Sequence, residues 1–466
     1  MSRAGAALHH LTIAEAGGLI AARKLSPVEL TKALLQRVEQ LNPALDAYLH
    51  VCGKSALAAA RAAEKTVAAR AQGPLTGIPL AYKDIYETRG VPTTAHSRLL
   101  QDNVPREDAE TVRRLHDAGA VMLGKLATHE FAIGGPAFDL PWPPARNPWD
   151  RDRFTGGSSS GSGAALAAGL ALGSLGSDTG GSIRLPAAYC GVAGLKPTAG
   201  LVSRRGVIPL SPSLDTAGPL AWTAEDCAIL LDAIAGHDPL DSASVPVPSG
   251  GYTKGLTQPV KGLRVGLLRH FHERDVPATA EVRQMVLAAA KTLESLGCVV
   301  EEATLPPVQE YDAVARPIIC AEAYALHEQW LRTRLEDYSR VFRLRVMGGA
   351  LVRAADYIAA QRTRGDLIRA TEAAFQRFDI LISATAPQAA PRLADQKPDE
   401  GLTRPLLTIP ANVAAIPALS VCGGFSAGGL PLGLQIMGPA WSDALVLRVG
   451  HQFEEAAGTR ARRPPL

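Results

Sequence analysis

The tract between residues 154 and 200 constrains the fold of this chain more than any other stretch of its sequence. It holds two groups of small residues, at 156–161 and 179–182, where backbone amides can come close to a ligand because glycine has no side chain. A flexible Gly/Ser linker is the alternative, but residues 164–175 between the groups are apolar and rich in alanine. The tract therefore predicts two loops joined by a buried helix, and a serine after a glycine pair suits a nucleophile beside an oxyanion hole.

Composition excludes several classes of function. The 466 residues are 47% hydrophobic and 20% charged, as in a globular protein with a substantial core. The net charge of +3 gives no reason to expect nucleic acid or an anionic membrane as a partner. The N-terminus lacks the apolar segment of a secretory signal, and the uncharged stretch 154–177 holds too much Gly and Ser to span a bilayer. Six scattered cysteines without a CxxC pair indicate a reducing compartment, so we expect a cytoplasmic protein.

The order of predicted elements is that of an α/β fold. Strand, helix and strand follow one another between residues 78 and 123, and again between 263 and 301. Apolar runs at 418–422 and 432–437 lie in a stretch without charge, which predicts central strands buried on both faces. We predict a single large domain whose central, mixed and mostly twisted β-sheet is covered by helices on both faces.

This domain is predicted to have four parts. A helical N-terminal segment at 1–75 packs on a catalytic core at 76–235. Residues 236–262 are rich in Pro, Gly and Ser and form a loop. Residues 263–466 complete the same α/β domain and include a helical region, at about 306–400, around the substrate entrance. We interpret the many arginines of that region as a solvated helix face.

Two kinds of serine hydrolase site and a metal site do not fit the sequence. Gly157-x-Ser159-x-Gly161 matches a nucleophile elbow, but that motif needs a strand directly before it, and residues 147–154 are polar, prolyl and charged. No lysine has a serine three residues before it, which excludes a Ser-x-x-Lys pair. The eleven histidines include no HExxH motif, and no metal is predicted. His129 beside Glu130 is interpreted as structural or pocket-lining.

The remaining type of site is a serine that is activated by a lysine distant in the sequence. A lysine acts as a base only when it is neutral, which requires burial and few acidic neighbours. Lys83 follows the apolar strand predicted at 78–82, so it is a better candidate than helix-surface lysines such as Lys32 and Lys65. From the residues alone, a salt bridge remains the alternative role for Lys83.

Several segments resemble the amidase signature family, and together they cover nearly the whole chain. The specific ones are GIPLAYKD at 77–84, GVPTT at 90–94, RNPWD at 146–150, the tract at 156–163, GSDTGGSIR at 176–184 and GLKPT at 194–198. A weaker similarity extends to 419–437. The separations of Lys83, Ser158 and Ser182 are also those of the Ser-cisSer-Lys triad of that family.

The resemblance implies a role for each matching residue. Ser182 would be the nucleophile that becomes acylated, Ser158 would follow a cis peptide bond and relay protons, and Lys83 would be the base. Asp178 and Arg184 would brace the loop. The backbone N–H groups that would hold the oxyanion are those of Thr179, Gly180, Gly181 and Ser182. No cofactor is implied.

The segment that corresponds to the substrate pocket is apolar. Its expected binding residues are Ala132, Ile133, Gly134, Gly135 and Phe138. The glutaminase branch of the family usually has glutamine where this chain has Leu185. We therefore expect an amidase that works alone on a small apolar or aromatic carboxamide, with aryl esters and carbamates (urethanes) as further substrates.

The alternative is the glutaminase component of a tRNA-dependent amidotransferase, which would act only on glutamine and with partner subunits. The main hypothesis instead implies a small-molecule amide as the only partner, without nucleic acid or membrane, and leaves a homodimer open. A non-catalytic binding protein is disfavoured because all three triad residues are present. The sequence does not identify the substrate, since residues 306–400 match nothing diagnostic.

Overall fold

One eleven-stranded β-sheet runs through the protein, whose computed structural model describes residues 7–397 and 406–466. The strands lie in the order β1-β3-β2-β4-β6-β5-β10-β11-β9-β7-β8. Strand β2 is parallel to its neighbours β3 and β4, β7 is parallel to β8 and β9, and the remaining pairs are antiparallel. The bounds are β1 (Tyr48–Val51), β2 (Pro79–Lys83), β3 (Val121–Leu126), β4 (Gly173–Asp178), β5 (Ala193–Lys196), β6 (Thr216–Ala221), β7 (Arg264–Leu267), β8 (Val299–Glu302), β9 (Ile380–Ala384), β10 (Ala418–Phe425) and β11 (Pro431–Met437).

Helices flank this sheet, which confirms the predicted α/β domain with a central mixed sheet. Within the described ranges, no helix is both long and apolar enough to cross a lipid bilayer. The bounds are α1 (Ile13–Ala21), α2 (Pro27–Leu45), α3 (Gly53–Ala68), α4 (Glu110–Asp117), α5 (Ser160–Ala167), α6 (Arg184–Cys190), α7 (Ala224–Ile234), α8 (Ala280–Ser295), α9 (Val308–Thr333), α10 (Arg340–Val346), α11 (Ala354–Ala374), α12 (Ile409–Val413) and α13 (Asp443–Ala457).

Two of the four predicted parts of the domain include residues that the structure does not describe. Residues 1–6 of the N-terminal segment and residues 398–400 of the entrance region lie outside the described residues. The entrance region contains α9, α10 and α11, and α9 packs against both of the others. It also contains β9, which pairs with β7 and β11 inside the sheet. The segment predicted to surround the entrance is therefore anchored to the core by a strand.

Local sequence determines where helix α2 begins, but it is a poor guide to where this helix ends. The side chain of Ser26 accepts hydrogen bonds from the N–H groups of Val28 and Glu29, as expected of a helix N-cap. The pair Asn42-Pro43 is typical of a helix end, but this helix continues to Leu45. Pro43 has no N–H to donate to the preceding turn, and the helix ends where Asp46, with a φ of 49°, donates its N–H to the carbonyl of Asn42.

The pairing of β2 with β4 positions the candidate site. These parallel strands are in register at Tyr82 and Leu175, so their carboxyl ends meet at one edge of the sheet. Lys83 is the last residue of β2, and β4 ends at Asp178, directly before the second glycine-rich loop. The crevice beyond the carboxyl ends of strands is where α/β proteins bind their ligands.

Candidate active site

Lys83 has a completely buried side chain that contacts two serines. Its Nζ lies 2.7 Å from Oγ of Ser158 and 2.8 Å from Oγ of Ser177. Burial lowers the pKa of Lys83 to about 7, although the negative charges of Asp215 and Asp178 act in the opposite direction. An amine with this pKa is neutral in a large fraction of molecules near pH 7, as a general base must be.

The glycines before Ser158 leave space that side chains would fill. Gly156 has a φ of 77°, in the region that favours glycine. A Cβ on Gly157 would lie only 1.9 Å from Cε1 of His129. The peptide bond between Gly157 and Ser158 is cis. Glycine at both positions therefore lets the chain pass close to the imidazole and place Ser158 against Lys83.

His129 lines the same cavity as Ser158 and is neutral there. Burial, followed by the nearby charge of Lys83, lowers the pKa of His129 to about 3. Its ring stacks against Phe154 with 5.9 Å between centroids. The adjacent Glu130 points elsewhere and accepts a hydrogen bond from Oγ of Ser97 at 2.7 Å. His129 is thus the pocket-lining member of this pair and Glu130 the structural one.

A buried ion pair lies under the loop that carries Ser182. Nη2 of Arg184 donates to Oδ1 of Asp178 at 2.8 Å, and Nε donates to Oδ2 at 3.0 Å. Arg184 also donates to the side chains of Asn412 in α12 (2.6 Å) and Gln435 in β11 (2.7 Å). Burial alone would raise the pKa of Asp178, but the Arg184 guanidinium and Asn412 hold it well below its ordinary value. The ionised pair ties the loop to the sheet.

The structure narrows the predicted set of oxyanion donors. The N–H of Gly181 donates to Oδ1 of Asp178 at 2.7 Å, so the prediction that this amide faces the substrate does not fit. The φ of 130° at Gly181, which glycine adopts readily, turns the amide toward the carboxylate. Over residues 7–397 and 406–466, the N–H groups of Thr179, Gly180 and Ser182 have no backbone or side-chain acceptor. These three amides remain available to a ligand.

A cavity of about 350 Å³ opens onto Ser158 and Ser182. Four of the five predicted binding residues line it, namely Ala132, Ile133, Gly134 and Gly135. The fifth, Phe138, is 62% exposed and is not part of the lining. Pro136 does line the cavity, so the lining ends two residues before the exposed phenyl ring.

One part of the cavity lining, the charged wall, holds ionisable side chains. Asp312 and Arg316 on α9, Arg345 on α10 and Lys397 all contribute to it. Nε of Arg316 donates to the carboxylate of Asp312 one helical turn away. The expectation of an apolar pocket is therefore wrong for this wall, and so is the interpretation of the arginines as a uniformly solvated face. Helical periodicity groups residues by face but does not show which face meets a cavity.

Ser177 and Asp215 belong to the surroundings of Lys83, and sequence reasoning missed both. The signal for Ser177 was available, because it lies two residues beyond the Leu175 that pairs with Tyr82, on the strand next to β2. Asp215 directly precedes β6, which pairs with β4 through Thr216 and Asp178. No local motif marks such a contact, since it depends on an antiparallel pairing between distant segments.

A buried lysine that contacts one of two serines lining the same cavity is an arrangement suited to hydrolysis through a serine nucleophile. Comparison with known families agrees with this chemistry, since the Amidase family model matches residues 29–447. The chain belongs to the amidase family, as the motifs around Lys83, Ser158 and Ser182 led us to expect.

Three known proteins illustrate the similarity. The A subunit of glutamyl-tRNA(Gln) amidotransferase from Desulfatibacillum aliphaticivorans is 40% identical, over 99% of this chain and all of that protein. A solved structure of a vestigial protein complex that reveals the origins of an s-triazine catabolic enzyme has 35% identity and a TM-score of 0.89, with 96% of this chain and 98% of that chain covered. Native peptide amidase from Stenotrophomonas maltophilia has 33% identity and a TM-score of 0.85, with 98% of each chain covered.

These relatives correct the predicted partners. The sequence led us to expect a small-molecule amide as the only partner, without nucleic acid. The relative from Desulfatibacillum aliphaticivorans is instead one subunit of an enzyme named for glutamyl-tRNA(Gln), and it matches over its full length. The prediction of an amidase that works without protein or tRNA partners is therefore wrong. That prediction was based on Leu185 and on the low net charge. Neither feature gives information about surfaces that bind other subunits.

Proposed function

We propose that this chain hydrolyses a carboxamide through an acyl-enzyme on Ser182. Neutral Lys83 takes a proton from Ser158 while Ser158 takes one from Ser182, whose oxygen attacks the amide carbon. The 2.7 Å between Lys83 Nζ and Ser158 Oγ supports the first transfer. The proton then returns through Ser158 to the nitrogen as the C–N bond breaks. Water hydrolyses the ester by the same relay and regenerates Ser182.

Three backbone amides would stabilise the charge that develops on the carbonyl oxygen. They are the N–H groups of Thr179, Gly180 and Ser182, whose availability among the described residues supports this role. Loss of one oxyanion donor typically costs about 3–4 kcal/mol of transition-state stabilisation. The N–H of Gly181, held by Asp178, would fix the loop instead of contacting the substrate.

Our proposal for the substrate is based on the charged wall of the cavity. An amide that bears an α-carboxylate and an α-ammonium group, as glutamine does, could place them against Arg316 or Arg345 and Asp312, respectively. Its side-chain amide would then extend toward Ser182. This charge pattern supports the alternative considered from the sequence: the chain is the amide-hydrolysing subunit of a glutamyl-tRNA(Gln) amidotransferase, located in the cytoplasm, with glutamine as ammonia donor.

One observation favours a second candidate. Leu185 lines the cavity next to the loop of Ser182, together with Ile133 and Leu407, and these side chains suit an apolar acyl group. The candidate is an amidase of a small apolar or aromatic carboxamide, with aryl esters and carbamates as related substrates. The likeness to the peptide amidase of Stenotrophomonas maltophilia also supports it.

The nucleophile is tested with the chain co-expressed and purified with the other subunits of its amidotransferase. We expect ammonia release from glutamine, and mass spectrometry should detect acylation of Ser182. The variant Ser182→Ala should lose both signals. Its matched control is Ser159→Ala, which alters a buried neighbouring serine and should retain both. Loss of both signals in Ser159→Ala alone would instead support the nucleophile elbow.

The substrate is tested by comparing glutamine with benzamide. Under the main proposal, Arg345→Met should raise the KM for glutamine at least tenfold, about 1.4 kcal/mol, and should change the KM for benzamide far less. Hydrolysis of benzamide but not of glutamine by the same preparation would overturn the main proposal and support the second candidate.

A further inference from the structure

Glu322 on α9 connects three separate elements near the cavity. Its Oε2 accepts hydrogen bonds from Oγ of Ser211 at 2.6 Å and from the N–H of Ser213 at 3.0 Å. Its Oε1 accepts from the hydroxyl of Tyr357 on α11 at 2.7 Å, and also from Oγ of Ser213. One carboxylate therefore joins both entrance helices to the loop at 210–215.

The same loop is joined to the oxyanion loop by Asp215. Oδ2 of Asp215 accepts from the N–H groups of Leu210 and Ser211 at 2.8 and 2.9 Å. Its Oδ1 accepts from Oγ1 of Thr179 at 2.5 Å. Thr179 supplies the first of the three available oxyanion amides. A continuous hydrogen-bonded path thus leads from Glu322 through this loop to Thr179.

Helix α9 also forms part of the substrate cavity. Asp312, Arg316 and Ile319 on α9 line it, and Glu322 lies a little less than one helical turn beyond Ile319. The helix that contacts the substrate is therefore the helix that holds the loop at 210–215. This arrangement can transmit the position of α9 to the amide that meets the developing oxyanion.

We propose that Glu322 is a positioning residue for hydrolysis, which acts through Ser211, Ser213 and Asp215 to hold Thr179 in the oxyanion hole. The proposal rests on the Ser182 mechanism proposed above but not on the identity of the substrate. A network that only stabilised the fold would change the folded fraction or substrate binding. A network that positions Thr179 lowers the rate of attack while binding is retained, because the oxyanion forms only during attack.

The test uses p-nitrophenyl acetate, an ester that can acylate Ser182 without any requirement for glutamine. Mass spectrometry first locates the acetyl group on Ser182 of the unaltered protein, and its absence there would overturn the proposed nucleophile and this proposal together. The release of p-nitrophenolate then gives the acylation rate constant and the apparent dissociation constant separately. A failure to hydrolyse glutamine leaves this assay intact, so the proposed substrate and the proposed role of Glu322 can fail independently.

Glu322→Ala should lower the acylation rate constant about tenfold or more, as expected when an oxyanion donor is displaced, with an unchanged dissociation constant. Glu322→Gln retains Oε1 but loses the acceptor for Oγ of Ser211 and for the N–H of Ser213, so it should also lower the rate. The matched control is Glu328→Ala on the same helix, which removes only an exposed ion pair with Arg332 and should leave the rate unchanged. If Glu322→Ala does not fold, Glu322→Gln decides, and a wild-type rate there would overturn the proposal.

A double-mutant cycle tests the path itself. Thr179→Val removes only the hydroxyl that donates to Asp215, and it should lower the rate by a factor similar to Glu322→Ala. If both residues act through one path, the double variant should be little slower than either single variant. Additive losses, or a loss confined to the dissociation constant, would overturn the proposal.

Discussion

The amine of Lys83 and the hydroxyl of Ser158 are 2.7 Å apart and both buried, so solvent competes little for their contact. Only neutral Lys83 can accept the proton, and its pKa is about 7. We therefore predict that kcat/KM falls about tenfold for each pH unit well below this pKa and levels off above it. A pH profile of ammonia release measures this. A flat profile between about pH 5 and 8 would contradict the role of Lys83 as base.

Replacement of the base itself should be severe. We predict that Lys83→Met, which keeps the apolar stem, lowers kcat/KM by about 10²–10⁴, the usual contribution of general base catalysis. The matched control is Lys65→Met on the exposed face of α3, which should retain full activity. Steady-state kinetics of both variants, with circular dichroism to confirm folding, provide the comparison. Activity of Lys83→Met within threefold of the unaltered protein would exclude this base.

The close approach of Gly157 to His129 predicts a rescue experiment. In Gly157→Ala the new Cβ would lie 1.9 Å from Cε1 of His129, so we expect a loss of about 1–3 kcal/mol of stability from overpacking, and loss of activity. His129→Ala in the same background makes room and should restore part of the stability. Chemical denaturation measures both. If the double variant is no more stable than Gly157→Ala, the imidazole is not the obstacle.

Two buried carboxyl groups on α7 and α13 predict how stability depends on pH. Burial raises the pKa of Asp226 on α7 to about 7 and that of Glu454 on α13 to about 8. Because both folded pKa values exceed those of the unfolded chain, about 4, the contribution of these groups to stability is greatest at low pH. It should decrease as the pH rises from about 5 to 8, since unfolding then releases protons.

Asp226→Asn removes one of these groups without changing its shape. We predict that the variant is more stable than the unaltered protein at pH 8, by at least about 1 kcal/mol, and that the difference shrinks toward pH 5. Melting temperatures across this pH range measure the effect. Asp102→Asn, which alters an exposed carboxylate, is the control and should show no such trend. A pH-independent difference for Asp226→Asn would contradict the raised pKa.

The residues proposed for catalysis lie in local sequence motifs, whereas the residues that surround them in the structure do not. Lys83, Ser158 and Ser182 lie in local motifs whose glycines have local causes, such as the imidazole that excludes a side chain at Gly157. The strand that delivers Lys83 could also be predicted, because a short apolar run that ends in a charged pair is typical of a buried strand that reaches the edge of its sheet. Both the motifs and the strand are recognised from residues that are close together in the sequence.

Tertiary contacts account for the errors. Arg345 reaches the cavity through the packing of α10 on α9, and Gly181 turns its amide to a carboxylate whose own position depends on Arg184. Phe138 lies only two residues after Pro136, yet the chain has turned it to solvent. The positions of these three groups depend on tertiary packing and not on a local pattern of residue types. A sequence motif therefore cannot predict them.

The groups proposed for catalysis and those proposed for substrate binding come from different parts of the strand order. The groups proposed to make and break bonds come from β2, β4 and the loops beside them, while the charged wall comes from α9, α10 and the segment after β9. Asp312, Arg316 and Arg345 all lie between β8 and β9, so a graft of this segment that keeps Glu322 could exchange substrate preference while leaving the reactive apparatus in place. In this architecture, new specificities can be acquired by replacing one continuous stretch of chain.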